Sequence, residues 1–185
     1  MLFLHENELT GSLPSELGRL SNLLYFYAHT NQLTGGIPTV LLGSTMQSLV
    51  ELSLKRNSLQ STIASEVGQL TNLRYLDLAE NDLTGPIPTE LSRLTKLQAL
   101  YLNDNNLSGT VPEVLALLWT NGGGYLADFH IQNNPLLSGI VPEELCLPHG
   151  KPCPRWAGSG GCKMVSDCTS QFCGCNCDCL SEETP

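Results

Sequence analysis

The chain has 185 residues, a formal net charge of −9, a pI near 4.7 and 41% apolar residues. Its nine Lys and Arg are scattered, so it lacks the clustered basic surface that nucleic acid or an anionic membrane would require. No apolar run reaches the ~20 residues of a membrane span, and Met1-Leu2-Phe3-Leu4 meets His5 and Glu6 too soon to form the core of a secretory signal.

An asparagine recurs at Asn7, Asn31, Asn57, Asn81, Asn105 and Asn134, at intervals of 24, 26, 24, 24 and 29 residues. The frame is clearest in Leu76-x-Leu78-x-x-Asn81-x-Leu83-x-Gly85-x-Ile87-Pro88. A period in the twenties with this pattern predicts stacked repeats, each a short strand followed by a turn. Leu76 and Leu78 alternate with Asp77 and Ala79, so the leucines point to one face and line a core. Asn81 ends the strand at a turn, where its carboxamide offers a donor and an acceptor to backbone groups that would otherwise be buried unpaired. Gly85 supplies backbone angles closed to other residues, and Pro88 fixes φ where no donor is needed.

The element Leu-Thr/Ser-Gly-x-Ile/Val-Pro stands at Leu9–Pro14, Leu83–Pro88 and Leu107–Pro112. In this form the chain, from residue 2 to about 145, closely resembles the plant-type leucine-rich repeat family of receptor ectodomains and secreted inhibitors. The resemblance implies an α/β-type solenoid, a horseshoe or superhelix with an inner parallel sheet and short 3-10 or irregular convex segments. Residues 1–145 are expected to form about six repeats and 146–185 a cysteine-rich cap. Some copies depart from the pattern. Ser61 and Ala64 stand where Gly and Pro are expected, Gly36 reads as an extra residue, and Ala28 replaces a core leucine. The third turn is therefore expected to be the least regular. Enlarged loops are expected near Leu42–Ser48 and around Gly122-Gly123-Gly124, both away from the inner face.

Function is expected on the exposed positions around each inner strand, which neighbouring strands present as columns about 4.8 Å apart. The candidate partner-binding residues are Tyr25, Tyr27, His29, Glu51, Lys55, Arg56, Tyr75, Asp77, Tyr101, Asn103 and His130. Four of the five tyrosines fall here, and tyrosine joins a rigid apolar face to a polar tip, although aromatic residues also suit strands without any ligand. Lys55 and Arg56 are the only basic pair on this face, flanked by Glu51, Asp77 and Glu80. They read either as mutually neutralised charges or as a polarised stripe that orients a peptide or an acidic sugar. His5 and His29 occupy one column in successive repeats, close enough for their imidazoles to meet, and are read as solvated side chains rather than a metal site.

All eight cysteines, Cys146, Cys153, Cys162, Cys168, Cys173, Cys175, Cys177 and Cys179, lie in the last forty residues. Their density reads as a disulfide framework formed in an oxidising compartment, with a thiolate metal cluster as the alternative. Trp156 and Phe172 are expected to be the apolar anchors of that cap. The first strand begins without a polar or cysteine-bearing cap, so Met1 is read as lying inside a longer secreted or cell-surface protein. Asn106-Leu107-Ser108 is a glycosylation acceptor pattern. No hydrolase elbow, metalloprotease helix, phosphate loop or kinase signature is present, and no cofactor is expected.

The expectation is thus a non-enzymatic, extracellular recognition module for a protein, peptide or glycan, with membrane attachment only through further segments. Two alternatives stand beside it: a secreted inhibitor or wall-associated binder similar to the polygalacturonase inhibitors, and a scaffold or metal-binding role centred on the cysteine tail.

Overall fold

The computed structural model describes residues 1–120 and 126–138. Each repeat contributes two short strands. The first holds β1 (Leu2–Phe3) and β2 (Thr10–Ser12), the second β3 (Tyr25–Tyr27) and β4 (Gln32–Gly35), the third β5 (Glu51–Ser53) and β6 (Ser58–Thr62). The fourth holds β7 (Tyr75–Asp77) and β8 (Asp82–Pro86), the fifth β9 (Ala99–Tyr101) and β10 (Asn106–Gly109), the sixth β11 (Asp128–His130) and β12 (Leu136–Leu137). The first strands form one six-stranded parallel sheet in the order β1-β3-β5-β7-β9-β11. The second strands form another, β2-β4-β6-β8-β10-β12. The inner sheet and the solenoid match the sequence expectation. The second sheet does not appear in it, because its residues were read only as the turn onto the convex side.

Leucine layers fill the space between the sheets. Leu52, Leu76 and Leu100, in register with Phe26 and Phe129, are fully buried, as are Leu54, Leu78, Leu102 and Ile131 two residues further on. Ala28 is fully buried in the second layer, with Phe26 supplying the bulk beside it.

The asparagines bind backbone on two repeats at once. Asn81 Oδ1 accepts the Leu59 N–H at 3.0 Å, while its Nδ2 donates to the Leu54, Leu78 and Ala79 carbonyls at 3.1–3.2 Å. Asn31, Asn57, Asn105 and Asn134 repeat the scheme, each accepting the N–H of a leucine in the preceding repeat: Leu9, Leu33, Leu83 and Leu107. Asn7 is exposed and donates only to the Leu4 and His5 carbonyls of its own turn. The residue before each rung takes a left-handed conformation, with φ of 54–58° at Glu6, Thr30, Arg56, Glu80, Asp104 and Asn133. That kink turns the chain from the inner sheet to the outer one.

The third turn is as regular as the others. Ser61 takes φ 88°, close to the 74–81° of Gly11, Gly35, Gly85 and Gly109. Ala64, at φ −71° and ψ 145°, enters the Ser65–Gln69 3-10 turn as Pro14 enters the Ser15–Arg19 turn at −73° and 139°. Register is kept as well, since Ser61 pairs with Leu83 as Gly35 pairs with Leu59.

Gly36 is not an extra residue. Gly35 has the conformation of Gly85, which places Gly36 opposite Pro86 in the motif. A Cβ on Gly36 would lie 2.8 Å from Ser61 Oγ, so a larger residue there would require that hydroxyl to turn away. The added length of the second interval instead forms α1 (Thr39–Leu42) and a 3-10 turn at Ser44–Met46, which bury Leu41, Leu42 and Met46 completely. What the sequence suggested was a loop is therefore a packed corner. The Gly122–Gly124 segment, all eight cysteines, Trp156 and Phe172 lie outside the described residues.

Two stability outcomes follow from this geometry. Asn81→Ala strands the buried Leu59 N–H and should cost about 1–3 kcal/mol in urea denaturation, whereas Asn7→Ala should shift the midpoint little. Ser61→Gly releases a left-handed side chain and should stabilise by up to about 1 kcal/mol, read as a higher melting temperature.

Candidate functional site

The parallel register arranges the inner face in columns. One runs Phe3, Tyr27, Ser53, Asp77, Tyr101, His130, and the column beside it runs Tyr25, Glu51, Tyr75, Ala99, Asp128. Two residues further along each chain come His5, His29, Lys55, Ala79, Asn103 and Gln132. The ladder thus converts sequence positions into fixed neighbours one strand apart.

At the centre, between the second and fourth repeats, lies a shallow depression of about 420 Å³. Tyr27, Glu51, Ser53, Tyr75 and Asp77 form its floor, and Lys55 and Arg56 stand beside His29 and Thr30 at its margin. Its volume lies in the small-molecule range, yet it is an open dish on the sheet rather than an enclosed cleft. Of the sequence candidates, Tyr27, His29, Glu51, Lys55, Arg56, Tyr75 and Asp77 meet here. Tyr25 lies one position off and does not line it. Tyr101 and His130 form a second group, with ring centroids 4.9 Å apart and Tyr101 5.4 Å from Tyr75. Asn103 donates to Asp104 at 2.6 Å.

The charges pair differently from expectation. Glu80 alone holds both cations, with Lys55 Nζ and Arg56 Nε each 2.9 Å from one of its oxygens. Glu51 accepts the Tyr27 hydroxyl instead. Asp77 accepts the Tyr75 hydroxyl at 3.1 Å and the Ala79 N–H at 3.1 Å, and at 5% exposure it is buried rather than presented to solvent. Its short side chain in the middle column lies under the tyrosines and reaches its own strand's backbone before it reaches Lys55. Glu80 is the functional neighbour that the candidate set omits. Its position just before Asn81, matching Arg56 before Asn57, was the available signal.

These contacts set the protonation states. Burial, reinforced by the hydrogen bond to Glu51, pushes the Tyr27 hydroxyl up to about 12. Burial and Asp77 raise Tyr75 further, and burial with Asp128 raises Tyr101. All three remain O–H donors near neutrality. Burial also lifts the Asp77 carboxyl above its ordinary value, against the pull of the Ala79 and Tyr75 hydrogen bonds. His29 is lowered by burial and then by His5, and His130 by burial. Arg56 is the most open charge in the group, with its side chain 62% exposed. Glu80 engages its Nε, and the guanidinium has no other side-chain partner among the described residues. The depression can therefore offer a planar cationic fork and aromatic walls, with its own carboxylates already occupied.

A leucine-rich repeat family profile matches residues 47–107. One chain of the BIR3–SERK2 complex from Arabidopsis thaliana is 34% identical with a TM-score of 0.65, the match covering 76% of this chain and 70% of that one. The chain belongs to the plant-type leucine-rich repeat family. Other leucine-rich repeat matches include the ectodomain of the Arabidopsis thaliana membrane receptor kinase GASSHO1/SCHENGEN3 in complex with CASPARIAN STRIP INTEGRITY FACTOR 2, at 32% identity and TM-score 0.71 over 78% of this chain. The HAESA ectodomain from Arabidopsis in complex with an IDA peptide hormone matches at 30% identity and TM-score 0.70 over 82%. The leucine-rich repeat chain described here spans 16% and 24% of the lengths of those two ectodomains. A search of curated proteins by sequence returned no match.

The buried Asp77 predicts a pH slope. Its folded value exceeds its unfolded one, so the folded chain binds more protons between the two, and stability falls as pH rises through that interval. Asp77→Asn, whose amide can still accept from Ala79 N–H and donate to the Tyr75 oxygen, removes the slope. The melting-temperature gain of the variant over wild type should grow as pH is raised from about 4 towards neutrality. A constant difference across that range would contradict the assignment.

Proposed function

We propose that this chain is a non-enzymatic, extracellular recognition module that lays a peptide or protein segment along its inner sheet, centred on the Arg56 depression. The observation that carries this reading is the exposed Arg56 guanidinium, paired through Nε with Glu80 at the margin of a depression that Tyr27 and Tyr75 also line. A bidentate cation selects a carboxylate or similar anion, while tyrosine faces bury apolar side chains at little entropic cost. An open dish on the sheet suits an extended chain better than a small enclosed molecule. Support comes also from the ectodomains above, whose structures contain a peptide hormone or a named factor. The Tyr101–His130 group extends the contact surface towards β11.

The reading is tested by panning a random phage-displayed peptide library against the immobilised full chain. Enriched peptides should carry Asp, Glu or a free C-terminal carboxylate, and Arg56→Ala should weaken them by about tenfold or more, as loss of a charged hydrogen bond implies. Tyr101→Ala should weaken them less, and Lys96→Ala, which does not line the depression and bonds to Asn72, not at all. Peptides that bind Arg56→Ala as well as wild type would move the site off the inner face.

A further inference from the structure

The other unusual arrangement on this face is the contact between His5 and His29. Their ring centroids lie 4.6 Å apart with planes only 21° from parallel. The backbone fixes this closeness: Leu4 N–H donates to the Tyr27 carbonyl at 2.7 Å and Glu6 N–H to the His29 carbonyl at 2.9 Å, so the two residues sit opposite one another on adjacent strands. Phe3 and Tyr27, stacked at 5.1 Å, wall the pair on one side, with Phe3 6.0 Å and Tyr27 6.1 Å from the His5 ring. Two cationic imidazoles would repel at this distance, and burial together with His5 keeps His29 below its ordinary value.

The nitrogens have different restraints. His29 Nδ1 lies 3.3 Å from Thr30 Oγ1, which orients that ring and leaves Nε2 without a hydrogen bond among the described residues. His5 Nδ1 is buried and has no hydrogen-bond partner. No polar contact therefore holds the His5 ring, and it can turn about its Cβ–Cγ bond at the cost of van der Waals contact alone. Two nitrogens bound to one ion at the usual metal–nitrogen distance stand about 3 Å apart. Rings 4.6 Å apart are near enough to share an ion, but their near-parallel planes must open until both lone pairs aim at it, a turn that the His5 ring, with its Nδ1 unpartnered, can make. No group of three or more His, Cys, Asp or Glu converges among the described residues, so water would complete the coordination.

We propose that His5 and His29 form a two-imidazole chelate for a divalent transition-metal ion, copper(II) or zinc(II), at the margin of the inner face. Imidazole pairs favour these ions over calcium or magnesium, and copper binds most tightly in the divalent series. Metal capture stands independently of what the Arg56 depression binds, although His29 borders both.

The test uses the full chain, prepared without reductant and with any free thiol alkylated, so that sulfur ligands in the tail do not compete. Copper(II) is titrated and followed by electron paramagnetic resonance, with circular dichroism confirming the fold of every variant. One equivalent of copper should show superhyperfine coupling to two imidazole nitrogens. His5→Gln and His29→Gln should each reduce the coupling to one nitrogen and weaken binding by at least about tenfold, since even the outer partners of metal ligands cost that much. His149→Gln, in the tail, should change neither. A signal unaffected by both inner-face substitutions, a signal lost in His149→Gln, or no nitrogen coupling at all would overturn the assignment.

Discussion

The structure depends on one interaction, the carboxamide of each ladder asparagine from Asn31 onward bound simultaneously to backbone on its own repeat and on the one before. A turn leaving a sheet exposes N–H and C=O groups that leucine layers cannot satisfy, and leaving them unpaired would be costly. Asn81 meets four of them with one side chain. Because each rung needs the chain to arrive at the same point, the left-handed residue before it and the glycine-like residue after it are fixed too. Both sheets then advance together, one strand per repeat.

That regularity decides what the inner face can do. Side chains at equivalent positions are held about one strand spacing apart, so chemistry accumulates along columns rather than within a cleft. Neighbours in a column or across two columns satisfy one another first: Tyr27 with Glu51, Tyr75 with Asp77, Glu80 with Lys55 and Arg56. What remains for a ligand is the surplus, namely aromatic surface and the free end of one guanidinium. This fits recognition of an extended partner better than catalysis, which needs groups held unsatisfied and shielded.

Much of the fold was legible in the sequence because the leucine and asparagine spacing encodes both the period and the facing of each residue. The second sheet was not, since Gln32–Gly35 or Asp82–Pro86 mixes polar residues, Gly and Pro and lacks the branched apolar alternation by which strands are recognised. Ser61 and Ala64 misled for a related reason. Backbone conformation there is imposed by the repeats on either side, so residues of poor local preference still follow it. In the site, the sequence named the right columns but not the pairings. Whether Lys55 meets Asp77 or Glu80 depends on side-chain length and depth, and Asp77 proves too short and too buried to reach it. The His5–His29 contact lay in the register, but its closeness and the orphaned nitrogen appear only in three dimensions.

The ladder also has a direction. In every rung from Asn31 to Asn134 the oxygen accepts the leucine N–H of the repeat that came earlier in the chain, never the later one. A repeat is therefore completed by its successor. Stripping a repeat from the carboxyl side orphans that leucine N–H, whereas stripping one from the amino side frees the asparagine side chain, as at Asn7, and strands sheet donors such as the Gln32 N–H that bonds to the Leu9 carbonyl. The two ends of the stack thus differ in kind: backbone pairing is cut at either one, but only a carboxyl-side break takes a side-chain acceptor away from the repeat that stays.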